Sequence, residues 1–473
     1  MSFYTRPSLS RRFQLLLSSF LQCDGLPFSK VLSEKEIQQA FDDEAVSFAQ
    51  EENGVYTPAV TLWAFLSQVL YKQEQRSCLA AVCRVIVLLV TLSREPCAKN
   101  TGAYCRARAK LSEKVIERLA LRIAEGCERE VPGHWLWYRR HVKLADGTTV
   151  SMPDTPANQA RYPQPKSQEA GLGFPIIRLV VLLSLATAMV CGMAMGPYAG
   201  KETGETALLR QLLGQLDPGD ILLADRYYCS YFMIALLLEH HVDFVVRLHQ
   251  LRTADFRQGR RLGRRDHLVQ WPRPAKPDWM DQKTYEQMPE SITVRQLLVQ
   301  VNQPGFRTDS FVVVTTLADA KQYPQNDIAE LYHKRWLAEL DIRAIKISLG
   351  MDILRCKTPE MVRKEIWTCL LAYNLIRKTM LQAAEQSGLS PRQLSFTTAM
   401  QTIAASWMTL AASQNILAAI LIEVQITSLT SQIVGDRPNR IEPRAIKRRP
   451  KPHKLLTIPR RQARAELLAG AGQ

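Results

Sequence analysis

The segment LYHKRWLAELDIRAIK, residues 331–346, combines helix-forming residues with an unusual set of polar side chains. It contains no proline or glycine, which predicts a continuous amphipathic helix. At about 100° of rotation per residue, one stripe about 60° wide carries a phenol, two cations and a carboxylate. The stripe comprises Tyr332, Arg335, Glu339 and Lys346. A separate apolar face comprises Leu337, Leu340, Ala344 and Ile347. A solvated surface with an Arg335–Glu339 pair would give the same pattern, so the rest of the chain must distinguish the two interpretations.

The charge of the chain indicates a polyanionic partner. The 473 residues carry a net charge of +16, and 46% of them are hydrophobic, which is enough for the cores of two or three domains. Between Arg437 and Arg464 there are eleven Lys or Arg and a single acid, Glu442. Nucleic acid and an anionic membrane surface are both compatible with this balance.

One apolar stretch and the cysteines bear on where the protein acts. Residues 176–196, IIRLVVLLSLATAMVCGMAMG, have the length of a membrane span. Arg178 near one end and Gly192 and Gly196 near the other favour two buried strands with a tight connection instead. None of the ten cysteines forms a C-x-x-C pair, which argues against zinc. We therefore expect a reduced, cytoplasmic protein without a membrane segment.

The hydrophobic patterns change along the chain. Residues 1–130 are predicted to form an all-helical N-terminal domain, in which Arg106, Arg108 and Lys110 would face either DNA phosphates or solvent. Strand and helix patterns then alternate, which predicts a mixed α/β domain over residues 131–250 and 310–385. Residues 251–309 are interpreted as an insertion, 386–435 as C-terminal helices and 436–473 as a basic tail that is extended or disordered in isolation.

Two aspartates occupy equivalent places in the strand pattern. Asp146 follows HVKLA and is expected to end a strand with an Asp-Gly turn, and Asp225 follows ILLA. Aspartates at strand ends often only start turns or cap helices. Neighbouring strands would nevertheless bring both carboxylates together, and the helix of Glu339 could pack over the same point.

Three converging carboxylates need a cation to neutralise them. Oxygen ligands without His or Cys suit Mg²⁺ or Mn²⁺. Two such ions, about 3.5–4 Å apart, would hold the attacking and leaving oxygens of a phosphoryl displacement. Arg335 and Lys346 would then bind DNA phosphates beside Asp146, Asp225 and Glu339, and Tyr332 would hydrogen-bond or stack there.

These residues resemble a known family. Tyr332-x2-Arg335-x3-Glu339-x6-Lys346 matches the Y-x2-R-x3-E-x6-K signature of the DDE transposases of the bacterial insertion sequence 4 family. ADGTT at 145–149 and ADRYY at 224–228 are similar to that family's two aspartate motifs, and residues 440–460 to its C-terminal tail. The resemblance implies a ribonuclease H-like mixed sheet with a strand-rich insertion after the second aspartate.

The resemblance also implies an activity. Family members bind the double-stranded ends of an insertion sequence, cut them with divalent metal, and join the freed 3′-OH to target DNA. Asp146, Asp225 and Glu339 would be the metal ligands, and we expect two copies of the chain in the DNA complex. A tryptophan of the insertion can stack on a flipped base in this family, which makes Trp271 and Trp279 candidates, although both could instead make structural Trp–Pro contacts. A catalytically silent or domesticated DNA-binding protein and a nuclease that never joins ends remain the alternatives.

Overall fold

The computed structural model describes residues 55–56, 58–91, 93, 95–300, 310–412, 415–435 and 456–470. From residue 58 onward, the described N-terminal part contains the helices α1 (Pro58–Leu70), α2 (Cys78–Thr91), α3 (Gly102–Lys110) and α4 (Glu113–Arg129). They confirm the helical pattern. The sequence SEKEIQQAFDDE at 33–44 also predicts a helix, but these residues lie outside the described ranges. Arg106 and Lys110 are exposed on α3, but Arg108 turns inward and donates a hydrogen bond to Gln68 Oε1 at 3.0 Å.

A mixed sheet of nine strands forms the centre of the described part of the chain. Its strands are β1 (Val142–Ser151), β2 (Ile176–Ser184), β3 (Val190–Pro197), β4 (Ile221–Ala224), β5 (Asp243–Arg247), β6 (Arg260–Gly263), β7 (Asp266–Pro272), β8 (Ser291–Gln300) and β9 (Ser310–Thr315). They lie in the order β3-β2-β1-β4-β5-β9-β8-β7-β6. β1 pairs antiparallel with β2 and parallel with β4, and β4 pairs parallel with β5. The predicted ribonuclease H-like mixed sheet is thus confirmed, and strands β6 to β8 of residues 251–309 extend the same sheet through β9.

The apolar stretch at 176–196 is not a helix. It forms most of the hairpin β2–β3, as its glycines and Arg178 predicted. Across the described ranges, no helix is long and apolar enough to cross a membrane.

The other helices of the described ranges lie between the strands in sequence or follow them. They are α5 (Pro156–Arg161), α6 (Glu205–Arg210), α7 (Tyr231–Glu239), α8 (Gln282–Gln287), α9 (Gln325–His333), α10 (Trp336–Arg343), α11 (Pro359–Gln386), α12 (Phe396–Ala412), α13 (Asn415–Thr430) and α14 (Arg460–Gly470). The sequence TALLRQLLGQL at 206–216 predicts one helix, whereas the structure has the shorter α6 followed by a 3₁₀ turn at Leu213–Gln215. The part of the basic tail before residue 456 lies outside the described residues.

The helix predicted over residues 331–346 is interrupted. α9 ends at His333 and α10 begins at Trp336. Between them the chain is tightened by two i→i+3 hydrogen bonds, from Arg335 N–H to Tyr332 O and from Ala338 N–H to Arg335 O. A π-helical turn then covers Ala344–Ser348. The predicted apolar face is only half right: Leu337 and Ala344 pack against the core, but Leu340 and Ile347 are exposed. The buried face instead comprises Ala338, Asp341, Ile342 and Ile345.

Two hydrophobic cores lie on opposite faces of the sheet. One contains Leu144 of β1 together with α1, α2, α4, α10 and the long helix α11. The other contains Ala145 of β1 together with α6 and α7. Alternate residues of β1 therefore face different cores, as the pleat of a strand requires.

Candidate active site

Asp146 and Asp225 are brought together by the register of β1 and β4. The last paired residues of this parallel ladder are Ala145 and Ala224, and each aspartate follows its alanine directly. The predicted turn at Asp146–Gly147 is wrong: β1 continues to Ser151, since Asp146 and Gly147 pair with Val181 and Val180 of β2. β4 has ended by then, which opens a notch beside residues 146–149 of β1.

Short hydrogen bonds hold both aspartates at this notch. Asp146 Oδ1 accepts the N–H of Gly147 at 2.9 Å. Asp225 Oδ1 accepts the N–H of Arg226 at 2.5 Å, which caps a 3₁₀ turn at Arg226–Tyr228. Asp225 therefore also has the capping role that is usual for aspartate after a strand.

The helix α10 brings the third acid to the same side of β1. α10 packs on β1 through the core that contains Leu144, Ala338 and Ile342. Glu339 Oε1 accepts a hydrogen bond from Arg335 Nη2 at 3.0 Å, and the two side chains are 38% and 21% exposed. The pair seen in the sequence is therefore real, but it is not on an open surface.

Arg335 is the positive charge that all three acids share. Its charge acts on Asp146, Asp225 and Glu339. Burial raises the pKa of Asp146 to about 6; Arg335 opposes this shift, and Glu339 and Glu205 add to it. One guanidinium thus faces several carboxylates, and Asp146 is left short of positive charge.

Tyr332 and Lys346 complete the predicted stripe in different ways. Burial raises the pKa of Tyr332 to about 12, and its ring lies 5.2 Å from that of Phe311. Lys346 Nζ donates to Thr148 Oγ1 at 3.1 Å and to the carbonyl of Thr149 at 2.8 Å. The structure therefore places Lys346 on β1, where it anchors the strand of Asp146.

The site offers oxygen ligands of the kind that Mg²⁺ and Mn²⁺ prefer. Within the described part of the chain, no three His, Cys, Asp or Glu side chains form a group that could hold a metal ion as they stand. The carboxylate oxygens, and the negative charge of Asp146 that burial leaves poorly neutralised, suit a divalent cation. For Glu339 to reach a cation held by Asp146, its bond with Arg335 would have to rearrange.

The two tryptophans of the insertion have covered rings. Trp271 is 6% exposed and lies under the guanidinium of Arg252, 4.1 Å from its ring centre. Trp279 is half-buried under Arg210 at 3.8 Å. The exposed aromatic side chains adjoining the site residues are instead Tyr227 and Trp336.

One further acid lies beside these residues and was not predicted from the sequence. Glu205, the first residue of α6, lies against the backbone of Gly147 and acts on Asp146. In the sequence, Glu205 is visible only as an acid at the start of a helix between the two aspartate motifs. The sequence alone does not show that its side chain points toward Asp146.

Comparison with known proteins agrees with the motif. The curated transposase InsG for insertion sequence element IS4 of Escherichia coli (strain K12) is 29% identical over 314 residues, which cover 65% of this chain and 68% of that protein. A solved cryo-EM structure of the piggyBac transposase synaptic complex with hairpin DNA is 9% identical, with a TM-score of 0.42 and coverage of 92% and 90% of the two chains, which is too distant to support a conclusion. Residues 137–375 match the Transposase DDE domain family. Since this match covers half of the chain, the protein belongs to the family of transposases with a DDE domain, as its Tyr-Arg-Glu-Lys signature predicted.

Proposed function

We propose that this transposase binds the double-stranded ends of an insertion sequence, cuts them with divalent metal, and transfers the freed 3′-OH to target DNA. Asp146, Asp225 and Glu339 would hold Mg²⁺ or Mn²⁺, with two ions bound in the active complex. Two copies of the chain would act together on the paired ends, in the cytoplasm.

The observation that carries this proposal is the placement of Asp146 and Asp225 after the paired alanines of β1 and β4, with Arg335 acting on both. An ordinary surface salt bridge gives no reason for a half-buried aspartate beside it whose pKa is raised to about 6. Metal ions bound by these carboxylates would activate the attacking hydroxyl and stabilise charge on the phosphoryl oxygens.

The residues around the acids have separable tasks. Arg335 presents a planar guanidinium that can bind two phosphate oxygens at once. Lys346 fixes β1 through Thr148 and Thr149, so that Asp146 keeps its position. Tyr332 is buried against Phe311, which orients its hydroxyl toward Arg335 and Asp225.

Cleavage of DNA that carries the element's own ends tests the proposal. Asp146→Asn, Asp225→Asn and Glu339→Gln should each abolish Mg²⁺-dependent cleavage and retain DNA binding in a mobility-shift assay, because phosphate contacts supply most of the affinity. Asp154→Asn is the matched control: it is an exposed aspartate just beyond β1, bonded to Gln159. Near-normal cleavage by any of the three variants would remove that residue from the site.

The same assay separates the alternatives. Bound ends that are never cut with Mg²⁺ or Mn²⁺ would indicate a catalytically silent DNA-binding protein. Cut ends that are never joined to a target plasmid would indicate a nuclease.

A further inference from the structure

Gly147 leaves room for the carboxyl group of Glu205. A methyl group built on Gly147 would stand 2.3 Å from Glu205 Cδ and 2.5 and 2.6 Å from its two carboxyl oxygens. The backbone of Gly147 is ordinary β-strand, so no unusual torsion angle requires glycine here. The requirement is one of space, and any side chain at this position would displace the acid.

Glu205 reaches the notch from the opposite face of the sheet. Gly147 lies two residues beyond Ala145 and therefore faces the core that contains Leu208 and Leu209 of α6. Glu339 comes from the other core, on the side of Leu144. Because β4 ends at Ala224, side chains from both faces can meet beside Asp146.

The charge of Glu205 is not matched by a cation. Among the described residues it makes no salt bridge, and its one hydrogen bond is accepted from Tyr228 Oη at 3.4 Å. Tyr228 is buried, and Glu205, Asp146 and Asp225 all act on its hydroxyl. This shared neighbour places Glu205 with the two aspartates. Arg178 lies on the same face of the sheet, but its guanidinium donates to the carbonyl of Thr203 at 2.8 Å and, among the described residues, forms no salt bridge with Glu205.

We propose that Glu205 is a fourth carboxylate of the active site, which enters through the space left by Gly147 and helps to hold divalent metal next to Asp146. The inference rests on the function proposed above, and it extends the acid set beyond the three residues of the motif. It also explains why the ADGTT motif has a glycine at position 147, where a side chain would displace Glu205.

Binding of Mn²⁺ to the full-length protein without DNA tests the proposal, with free Mn²⁺ measured by its electron paramagnetic resonance signal. Glu205→Gln should weaken Mn²⁺ binding by about tenfold, as loss of metal-site partners commonly does. Glu202→Gln is the matched control, because Glu202 lies three residues away, is exposed, and pairs with Arg210. Thermal unfolding without metal should be the same for wild type and Glu205→Gln.

Two further variants separate binding from packing. Gly147→Ala should weaken Mn²⁺ binding although every acid remains, because the methyl group displaces the carboxylate. Tyr228→Phe removes the hydrogen bond to Glu205 and should leave Mn²⁺ binding intact. A loss with Tyr228→Phe equal to that with Glu205→Gln would assign Glu205 to holding the tyrosine, and would overturn the proposal.

The pattern of results also distinguishes this inference from the proposed function. If Asp146→Asn weakens Mn²⁺ binding and Glu205→Gln does not, the inference about Glu205 fails alone. If wild type binds no Mn²⁺, or binds it as tightly after Asp146→Asn, both fail.

Discussion

At the scale of single residues, two acids on α10 show how surroundings separate a proposed metal ligand from a structural carboxylate. Asp341 is 2% exposed and is bound by Arg377 at 2.7 Å and Arg392 at 2.9 Å. Glu339, two residues earlier, is 38% exposed and has Arg335 as its ion-pair partner. Asp341 has its charge fully matched inside the protein, whereas Glu339 can exchange its partner for a ligand.

Removing these two acids should therefore lower stability by very different amounts. Asp341→Ala leaves two buried guanidinium groups without a counter-ion and should lower the free energy of unfolding by about 3–5 kcal/mol. Glu339→Ala breaks a partly exposed pair and should lower it by at most about 1 kcal/mol. Denaturant unfolding of the two variants measures both values, and equal losses would contradict this assignment of roles.

Arg335→Lys tests the geometry of the guanidinium separately from its charge. Lysine keeps the cation but loses the planar group that can bind two phosphate oxygens. Loss of one charge-assisted hydrogen bond, about 1.5–3 kcal/mol, corresponds to end cleavage that is slower by about 13- to 160-fold. The melting temperature should hardly change. Normal cleavage by Arg335→Lys would show that Arg335 only forms a salt bridge with Glu339 and does not contribute to catalysis.

At the scale of helices and strands, local patterns predicted which elements exist better than where they end. The hairpin β2–β3 was predicted because its apolar residues are interrupted by glycines. The turn at Asp146–Gly147 was wrong because Asp-Gly favours a turn locally, while pairing with Val181 and Val180 of β2 keeps the strand extended. Residue types and spacing thus predicted the two aspartates, but only the sheet register shows them side by side.

Contacts between distant elements were beyond prediction. Gly147 admits Glu205 because a helix from the opposite face reaches the notch, and no sequence spacing encodes that approach. The break before α10 likewise follows from the packing of Tyr332 and Ala338 into one core, which a uniform 100° rotation does not anticipate.

A buried ion pair ties the N-terminal helices to the strand of Asp146. Lys143 Nζ of β1 donates to Glu128 Oε2 of α4 at 2.5 Å, and Thr187 Oγ1 donates to Glu128 Oε1 at 2.7 Å. Burial alone would raise the pKa of Glu128, but Lys143, His141 and Thr187 outweigh it and hold that pKa well below its usual range.

This pair should make stability depend on pH in the acid range. Because the pKa of Glu128 is lower in the folded state than in the unfolded state, its contribution is present above about pH 4.3. It should fall by about 1.4 kcal/mol for each pH unit below that value. The difference in unfolding free energy between wild type and Glu128→Gln, measured at pH 6 and pH 3, should therefore shrink on acidification. A constant difference would show that Glu128 is not held ionised by its partners.

At the scale of the whole molecule, the N-terminal helices and the sheet share one core. α1, α2 and α4 pack with β1 and α11 in the same hydrophobic cluster. Arg76 donates to the carbonyl of Gly350 at 2.5 Å and pairs with Glu365 of α11 at 3.3 Å. Any DNA contact made by α3 is therefore held in a fixed position relative to the acids.

The basic tail should contribute to DNA affinity chiefly through phosphate contacts. Residues 437–464 carry a net charge of +10, and the arginines of α14 in this range, Arg460, Arg461 and Arg464, are exposed. Deleting residues 436–473 should weaken binding and make it less sensitive to salt, because fewer counter-ions are released. Log affinity plotted against log salt concentration measures the effect.

A smaller change tests the described part of the tail alone. Replacing the three arginines of α14 by glutamine should reduce the slope by up to about 2.7, since each phosphate contact contributes about 0.9. Asp154→Asn, which leaves the basic residues in place, should not reduce it. If the deletion lowers affinity while the slope stays at the wild-type value, the tail does not contact phosphate, and its contribution must come from joining the two copies of the chain on the DNA.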